Sequence, residues 1–201
     1  MTSHDILPIL VGASFAAGLN VYATIATLGL LARFHAFAIP PALHLLESWP
    51  VIVIALVLFV LELFADKIPV FDLLWNALHT FIRVPLAALI AYAAAAQLSP
   101  GAQIAAALLG GLIALASHSG KTAVRAVIST SPEPLSNVAL SFGEDVIAVG
   151  LTWFATRHPL IAAAIVAVLL VMVVLAVRFV YRAVKRLLQR AGAALRQGQK
   201  V

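Results

Sequence analysis

Residues 159–180, PLIAAAIVAVLLVMVVLAVRFV, decide the fold class of this chain. Their only charged side chain is that of Arg178. About 20 consecutive apolar residues in a helix are enough to cross the hydrocarbon core of a bilayer. The stretch therefore predicts a membrane-spanning helix, and His158 and Pro159 mark the point at which it begins.

The composition extends this prediction to the whole chain. Hydrophobic residues make up 63% of it and charged residues only 10%, whereas roughly a quarter of the residues in soluble domains are charged. So few charges cannot solvate the surface of a soluble globule. There is no cysteine, which excludes disulfides, thiolate catalysis and cysteine-based metal sites. We therefore expect an all-α, polytopic transmembrane helical bundle.

Prolines and polar residues divide the hydrophobic sequence into about six predicted spans. These spans are residues 6–31, 51–64, 84–98, 102–116, 138–154 and 159–180. Residues 71–82 have a helical pattern but are amphipathic. The sequence leaves open whether this segment is re-entrant or lies in the membrane interface.

Basic residues are concentrated at the C-terminal end. Seven of the thirteen Lys and Arg residues lie at or after Arg178, so the net charge of +5 describes a tail and not a nucleic-acid-binding domain. In residues 182–201, apolar positions recur at helical spacing opposite the basic ones. This pattern predicts an amphipathic helix on the anionic lipid of the cytoplasmic surface, and membrane lipids are the partners that the sequence indicates.

An even number of spans would place both termini on the same side of the membrane. With the tail inside, the loops predicted to be inner contain four basic residues and the outer loops two. The inner ones are Lys67, Arg83, Lys121 and Arg125, and the outer ones are Arg33 and Arg157. The positive-inside rule then predicts that both termini are cytoplasmic.

Three short matches in the same order suggest an internal duplication. The matched pairs are residues 12–20 with 111–119, 64–67 with 142–145, and 83–86 with 157–160. A unit with three spans would make the second copy inverted, and inverted repeats with interrupted helices are typical of transporter sites. We therefore expect two inverted three-span repeats, each with an interrupted first helix. The predicted units are residues 1–99 and 100–181, followed by the tail 182–201.

Charged residues inside the predicted spans are the main candidates for chemistry, because they are costly to insert and usually face protein or water. Glu62 and Asp66 lie four residues apart and share a helical face, as do Lys121 and Arg125. The simplest arrangement pairs acids with bases around a central cavity. The candidate ion- or substrate-binding residues are Asn20, Glu62, Asp66, Lys67, His118, Ser119, Gly120, Lys121, Arg125, Glu144 and Asp145. Buried ion pairs with a purely structural role are the alternative.

The sequence contains no complete phosphate-binding or metal-binding motif. Residues 119–122, Ser-Gly-Lys-Thr, resemble the end of a phosphate-binding loop, but Leu115 stands where that motif needs a glycine. There is no closely spaced His and Asp cluster that predicts a metal site. The sequence therefore predicts no catalytic residue, no metal ligand and no cofactor.

The quoted motifs resemble a family of small bacterial membrane proteins known as domain of unknown function 4126. The resembling stretches are residues 18–23, 62–69, 118–125 and 131–137, followed by Glu144 and Asp145. The resemblance covers nearly the whole chain apart from the tail. It implies a bacterial inner-membrane location and supplies no reaction or substrate.

The first functional hypothesis is a small secondary transporter or channel for an ion or a small polar or anionic solute. Glu62 and Asp66 would form a proton or cation site. Lys121 and Arg125, with exposed backbone at Gly120, would attract an anionic group.

Two other functions stay open from the sequence. One is an intramembrane enzyme acting on a lipid or lipid-linked phosphate, with His118 or Asp66 as the base. The other is a membrane scaffold or assembly factor. A cavity open to one side at a time favours transport, a lateral opening favours the enzyme, and no cavity favours the scaffold. A homodimer is compatible with these features and is not required by them.

Overall fold

The computed structural model describes residues 3–65, 69–128 and 134–198, and in these ranges the chain is helical without any strand. Seven α-helices and one 3-10 helix, Pro41–Glu47, make up the described chain. The α-helices are α1 (Ser3–Leu19), α2 (Val21–Arg33), α3 (Trp49–Ala65), α4 (Pro69–Ala94), α5 (Pro100–Ile128), α6 (Pro134–Arg157) and α7 (Pro159–Gly198). The predicted all-α class is confirmed.

Proline sets where the later helices begin. The helices α4 to α7 each have proline as their first residue, and proline fits the first helical turn because the amide hydrogen that it lacks would have no partner there. Before Pro100, the hydroxyl of Ser99 accepts a hydrogen bond from the amide of Ala102 at 3.4 Å. The breaks that the sequence predicts at Pro100 and Pro159 are therefore helix starts.

The chain reverses direction at Asn20, between α1 and α2. Asn20 is extended, with φ −150° and ψ 104°, and its side chain accepts a hydrogen bond from the amide of Ala23. Leu10 of α1 packs against the last turns of α4, and Ala32 of α2 packs against the same turns. The start of α1 and the end of α2 therefore lie close to each other. Residues 6–31 form a helical hairpin and not the single span that their hydropathy predicts.

The first helices of the two predicted repeats run parallel. Ile6 of α1 lies beside Ala102 at the start of α5, and Gly18 faces Ala114, further along α5. An inverted copy would place these helices antiparallel, so this arrangement does not fit the expected inverted repeat. The division of the chain near residue 99 stays a prediction.

The start of α1 and the end of α7 lie at opposite ends of the bundle. Gly12 of α1 faces Ala162 near the start of α7, and Gly120 of α5 faces Val173, further along α7. The helix α7 therefore runs parallel to α1 and leaves the bundle at the Asn20 end. This geometry does not fit the expectation that both termini lie on one side.

Three described helices are long and apolar enough to cross a membrane, namely Pro100–Arg125, Val138–Arg157 and Pro159–Arg186. A fourth candidate is the 3-10 helix together with α3, a pair bent by 63°. The shorter apolar helices are Ile6–Leu19, Val21–Arg33 and Leu78–Ala94. The structure thus supports several membrane spans without confirming six.

Three expected boundaries are absent. Residues 71–82 are continuous with residues 84–94 in the single helix α4, so they are neither a separate re-entrant segment nor a separate interfacial one. The predicted interruption at His118, Ser119 and Gly120 is wrong, because α5 runs unbroken through these positions. The helix α7 likewise continues through the predicted tail as far as Gly198.

Candidate functional site

Five charged side chains of alternating sign form a buried row across α3, α4, α5 and α6. Arg83 pairs with Glu62, and the Lys121 Nζ atom lies 3.9 Å from Oε1 of Glu62. The same Nζ atom lies 3.0 Å from Oε2 of Glu144, which is 2.7 Å from Nη2 of Arg125. We call this row, Arg83–Glu62–Lys121–Glu144–Arg125, the charge ladder.

The charge ladder is shielded from solvent. Arg83 and Glu62 are completely buried, and no member is more than 9% exposed. Electrostatic attraction between neighbours is strong in such surroundings. Removing one partner of a buried pair typically destabilises a protein by about 3–5 kcal/mol, because the other charge is left uncompensated. The ladder therefore acts as a unit in which each charge depends on its neighbours.

Asn20 joins the break between α1 and α2 to these charges. Its Nδ2 atom donates to Oδ1 of Asp145 at 2.8 Å, and its Oδ1 atom accepts from the amide of Ala23 at 2.9 Å. On the other side of the break, Lys121 donates to the carbonyl of Leu19 at 3.3 Å. A cation thus lies at the C-terminus of α1 and an anion near the N-terminus of α2, where the helix dipoles favour them.

Hydroxyl groups fasten the hairpin further. Ser117 of α5 donates to the carbonyl of Phe15 at 2.8 Å, and Thr24 donates to the carbonyl of Asn20 at 2.9 Å. Ser117 therefore ties α5 to the end of α1, and Thr24 reinforces the first turn of α2.

His118 connects the ladder to α4. Nη1 of Arg83 lies 3.0 Å from Nδ1 of His118, and Oγ1 of Thr80 lies 2.8 Å from Nε2. Because arginine can only donate hydrogen bonds, Nδ1 must accept, and the proton of the neutral ring is on Nε2 and is directed to Thr80. The lone pair that a general base would need is therefore engaged by Arg83.

A second buried histidine lies near the hairpin. The hydroxyl of Tyr22 is 3.0 Å from Nε2 of His79, and the two rings meet edge to face with centroids 5.6 Å apart. The sequence favours an interfacial position for His79 and His158. In the structure, His79 is 4% exposed, whereas His158 is exposed and lies against Phe154; their depth in the membrane stays a prediction.

Most of the candidate residues come together. The structure brings together Asn20, Glu62, His118, Lys121, Arg125, Glu144 and Asp145. Ser119 donates to the carbonyl of Leu115 in its own helix and faces a groove. Gly120 is buried against Val173, so the expectation of exposed backbone there is wrong. Asp66 and Lys67 lie outside the described residues.

Arg83 is the principal member that sequence reasoning missed. The sequence assigned it to an inner loop, but it lies inside α4, four residues after His79 on the same face. That spacing within an amphipathic pattern was the available signal. Arg83, Lys121 and Arg125 are all buried in helices, so they cannot support an argument about orientation that depends on loop charges.

The described cavities differ in character. A groove of about 450 Å³ between α4, α5 and α7 is lined by Thr80, His118, Ser119, Thr122 and Tyr181 among others. Another cavity, of about 260 Å³, has an apolar lining from α1, α5 and the turn between α4 and α5. Among the described residues, no group of three His, Asp or Glu side chains could hold a metal ion.

The family model described as "Domain of unknown function (DUF4126)" matches residues 7–179. The chain belongs to this family. The match contains every described residue of the charge ladder and the break at Asn20, and it ends within α7. No curated protein and no solved structure matches the chain.

Proposed function

We propose that this chain is a small integral membrane protein that transports an ion or a small polar or anionic solute. The observation that carries the proposal is the broken helix at Asn20, whose two ends are contacted by Lys121 and, through Asn20, by Asp145. Helix breaks that present opposite dipole ends are typical of substrate and coupling-ion sites in secondary transporters. Transport uses such a site because its polar groups can bind a solute without lipid contact.

The charge ladder supports this function by its pattern of shared partners. Lys121 lies between two carboxylates, with Nζ 3.9 Å from Glu62 and 3.0 Å from Glu144. Protonation of Glu144, or arrival of an ion, would weaken one contact and favour the other. Lys121 could then pair mainly with Glu62 or mainly with Glu144, and a transport cycle requires two such alternative arrangements. Three cationic and three anionic groups meet here, so either sign of solute can be accommodated.

The proposed topology has five crossing helices, α3 to α7, and the α1–α2 hairpin entering from the side on which α1 begins. The basic end of α7 lies on the cytoplasmic side of a bacterial inner membrane, in accord with the positive-inside rule. The start of α1 is then periplasmic. Because the chain has no cysteine, single cysteines at Thr2 and Gln197 would report each side with an impermeant thiol reagent. Labelling of both from the same side would contradict this topology.

Flux in proteoliposomes tests transport directly. We expect wild-type protein to produce a solute-dependent current or a pH change in at least one condition of a panel of cations, anions and pH gradients. Glu62→Gln should abolish it, because the ladder loses a charge that contacts both Arg83 and Lys121. Glu47→Gln is the matched control, since Glu47 pairs with His44 away from the ladder. Equal flux from both variants would reject the ladder as the transport site, and silence of folded wild-type protein across the panel would reject transport.

An intramembrane enzyme is the second candidate, because an open groove lies beside His118 between α4, α5 and α7. The geometry of His118 weighs against it as base, since its lone pair accepts from Arg83. Lys121 and Arg125 are both paired with Glu144, which weighs against their holding a phosphate. Turnover of lipid-linked phosphate by protein that carries no flux would favour the enzyme.

A further inference from the structure

The groove between α4, α5 and α7 lies apart from the charge ladder and has a polar and an apolar part. Thr80, Ser119, Thr122 and Tyr181 supply hydroxyl groups, while Val177 and its neighbours on α7 supply an apolar wall. The two parts match a molecule with a polar head and an apolar body. His118 forms the inner wall and is itself held by Arg83.

The depth of the groove corresponds to the level of lipid headgroups. Tyr181 lies 22 positions after Pro159, which is about 33 Å along a helix. The hydrocarbon core is about 30 Å thick. A helix that crosses from Pro159 therefore brings the groove to the boundary between acyl chains and headgroups, on the side where α7 leaves the bundle.

The charges next to the groove are positive. Arg178, Arg182 and Lys185 follow the apolar part of α7 and are exposed, and α7 contains no acidic residue. Lys185 is one turn beyond Tyr181 on the same helical face, and Arg182 is one turn beyond Arg178. An anionic headgroup at this level meets a basic edge with no competing carboxylate on α7.

The hydroxyls of the groove select for hydrogen-bond donors. Ser119 donates to the carbonyl of Leu115 at 2.7 Å, and Thr122 donates to the carbonyl of His118 at 3.0 Å. Each hydroxyl has one hydrogen and two lone pairs. With their hydrogens used inside α5, the two oxygens accept hydrogen bonds from a ligand, and a headgroup that carries hydroxyls supplies them.

We propose that this groove binds one anionic glycerophospholipid with a hydroxyl-bearing headgroup. Its phosphate lies at the basic edge of α7, its headgroup hydroxyls donate to Ser119 and Thr122, and its glycerol and upper acyl chain lie along Val177. This site does not depend on the proposed transport function. It assigns a structural lipid to the α5–α7 contact, which Gly120 and Val173 otherwise close by direct packing.

Native mass spectrometry of the full chain in detergent tests the site, with phosphatidylglycerol and phosphatidylcholine of identical acyl chains as probes. We expect wild-type protein to retain one phosphatidylglycerol in preference to phosphatidylcholine. Ser119→Phe fills the groove and should abolish the preference, while Thr122→Val should weaken retention about fivefold through one lost hydrogen bond. Leu112→Phe, on the exposed surface of α5, is the matched control and should behave as wild type.

Two further arms separate the groove from its alternatives. Arg182→Gln should weaken phosphatidylglycerol about fivefold, the effect of one basic residue near a lipid surface. If Arg182→Gln weakens retention but folded Ser119→Phe and Thr122→Val do not, the lipid binds the basic surface of α7 and the groove is not the site. Displacement by millimolar glycerol phosphate would identify a soluble anion site and overturn the lipid assignment.

Discussion

Residues 18–20 and residues 117–120 look alike in sequence but have opposite structures. Both place glycine, serine or another polar residue in the middle of an apolar helix. The first stretch ends α1 and starts α2 in the reverse direction, whereas the second is a continuous part of α5. They also contact each other, since Gly18 faces Ala114 and Ser117.

The difference shows that helix-weakening residues do not by themselves break a helix in a bundle. Asn20 breaks the helix because its side-chain oxygen accepts from the amide of Ala23 and its side-chain nitrogen donates to Asp145. The reversal therefore has hydrogen-bond partners on both sides. Gly120 leaves α5 intact because it lies against Val173, where a helix can pack closely. The unbroken helix then supplies Lys121 to the open carbonyl of Leu19.

The largest effect is expected at Lys121, which directly follows the second stretch and donates to the carbonyl of Leu19 in the first. Lys121→Ala should destabilise the protein by about 3–5 kcal/mol, because Glu62 and Glu144 lose a shared cation inside the bundle. Unfolding in mixed micelles by added anionic detergent measures this. Lys185→Ala, which removes an exposed lysine of α7, should stay within about 0.5 kcal/mol of wild type. A similar small effect for Lys121→Ala would show that the ladder is not a unit.

An intermediate effect is expected from the break itself. Asn20→Ala removes the cap of α2 and a hydrogen bond to buried Asp145, and should destabilise by about 2–3 kcal/mol in the same assay. Ser119→Ala is the counterpart in the continuous helix and should change stability by less than about 0.5 kcal/mol, since its hydroxyl donates to its own helix. Equal losses from the two variants would remove the distinction between the stretches.

The smallest effect is expected at Gly120. A Cβ atom there would lie 2.5 Å from Cγ2 of Val173, and this overlap outweighs the gain in helix propensity. Gly120→Ala should destabilise by about 1 kcal/mol net. Adding Gly120→Ala to the Val173→Ala variant should cost less stability than adding it to the wild-type protein. Additive losses would show that α5 and α7 do not meet through this glycine.

Hydropathy predicted the most apolar helices and failed where residues of other helices cover a polar side chain. The span at residues 159–180 was predicted because its apolar character is continuous, and α3 and α6 were found in the same way. The sequence assigned Arg83 to a loop before the span at residues 84–98, but Arg83 lies within α4, where Glu62 and His118 from other helices satisfy it. Local sequence contains no record of partners that lie 21 or 35 positions away.

The candidate site was predictable as a set of residues but not as a geometry. Charges in apolar segments are conspicuous, which is why Glu62, Lys121 and Glu144 were selected. The sequence predicted an interruption of the first helix but not the reversal at Asn20, because the residues before and after it are both apolar and a span and a hairpin give the same hydropathy. The orientation argument failed with it, since the reversal changes which end of the bundle each later helix reaches.

The order of residues in the charge ladder has a consequence for biosynthesis. Glu62 leaves the ribosome 21 positions before its partner Arg83, and Arg125 leaves 19 positions before Glu144. Between the synthesis of Lys121 and that of Glu144, the nascent chain therefore carries two cations of the ladder without the carboxylate that they share. We expect a chain truncated before α6 to be degraded faster than the full chain, because Lys121 and Arg125 would then lack Glu144.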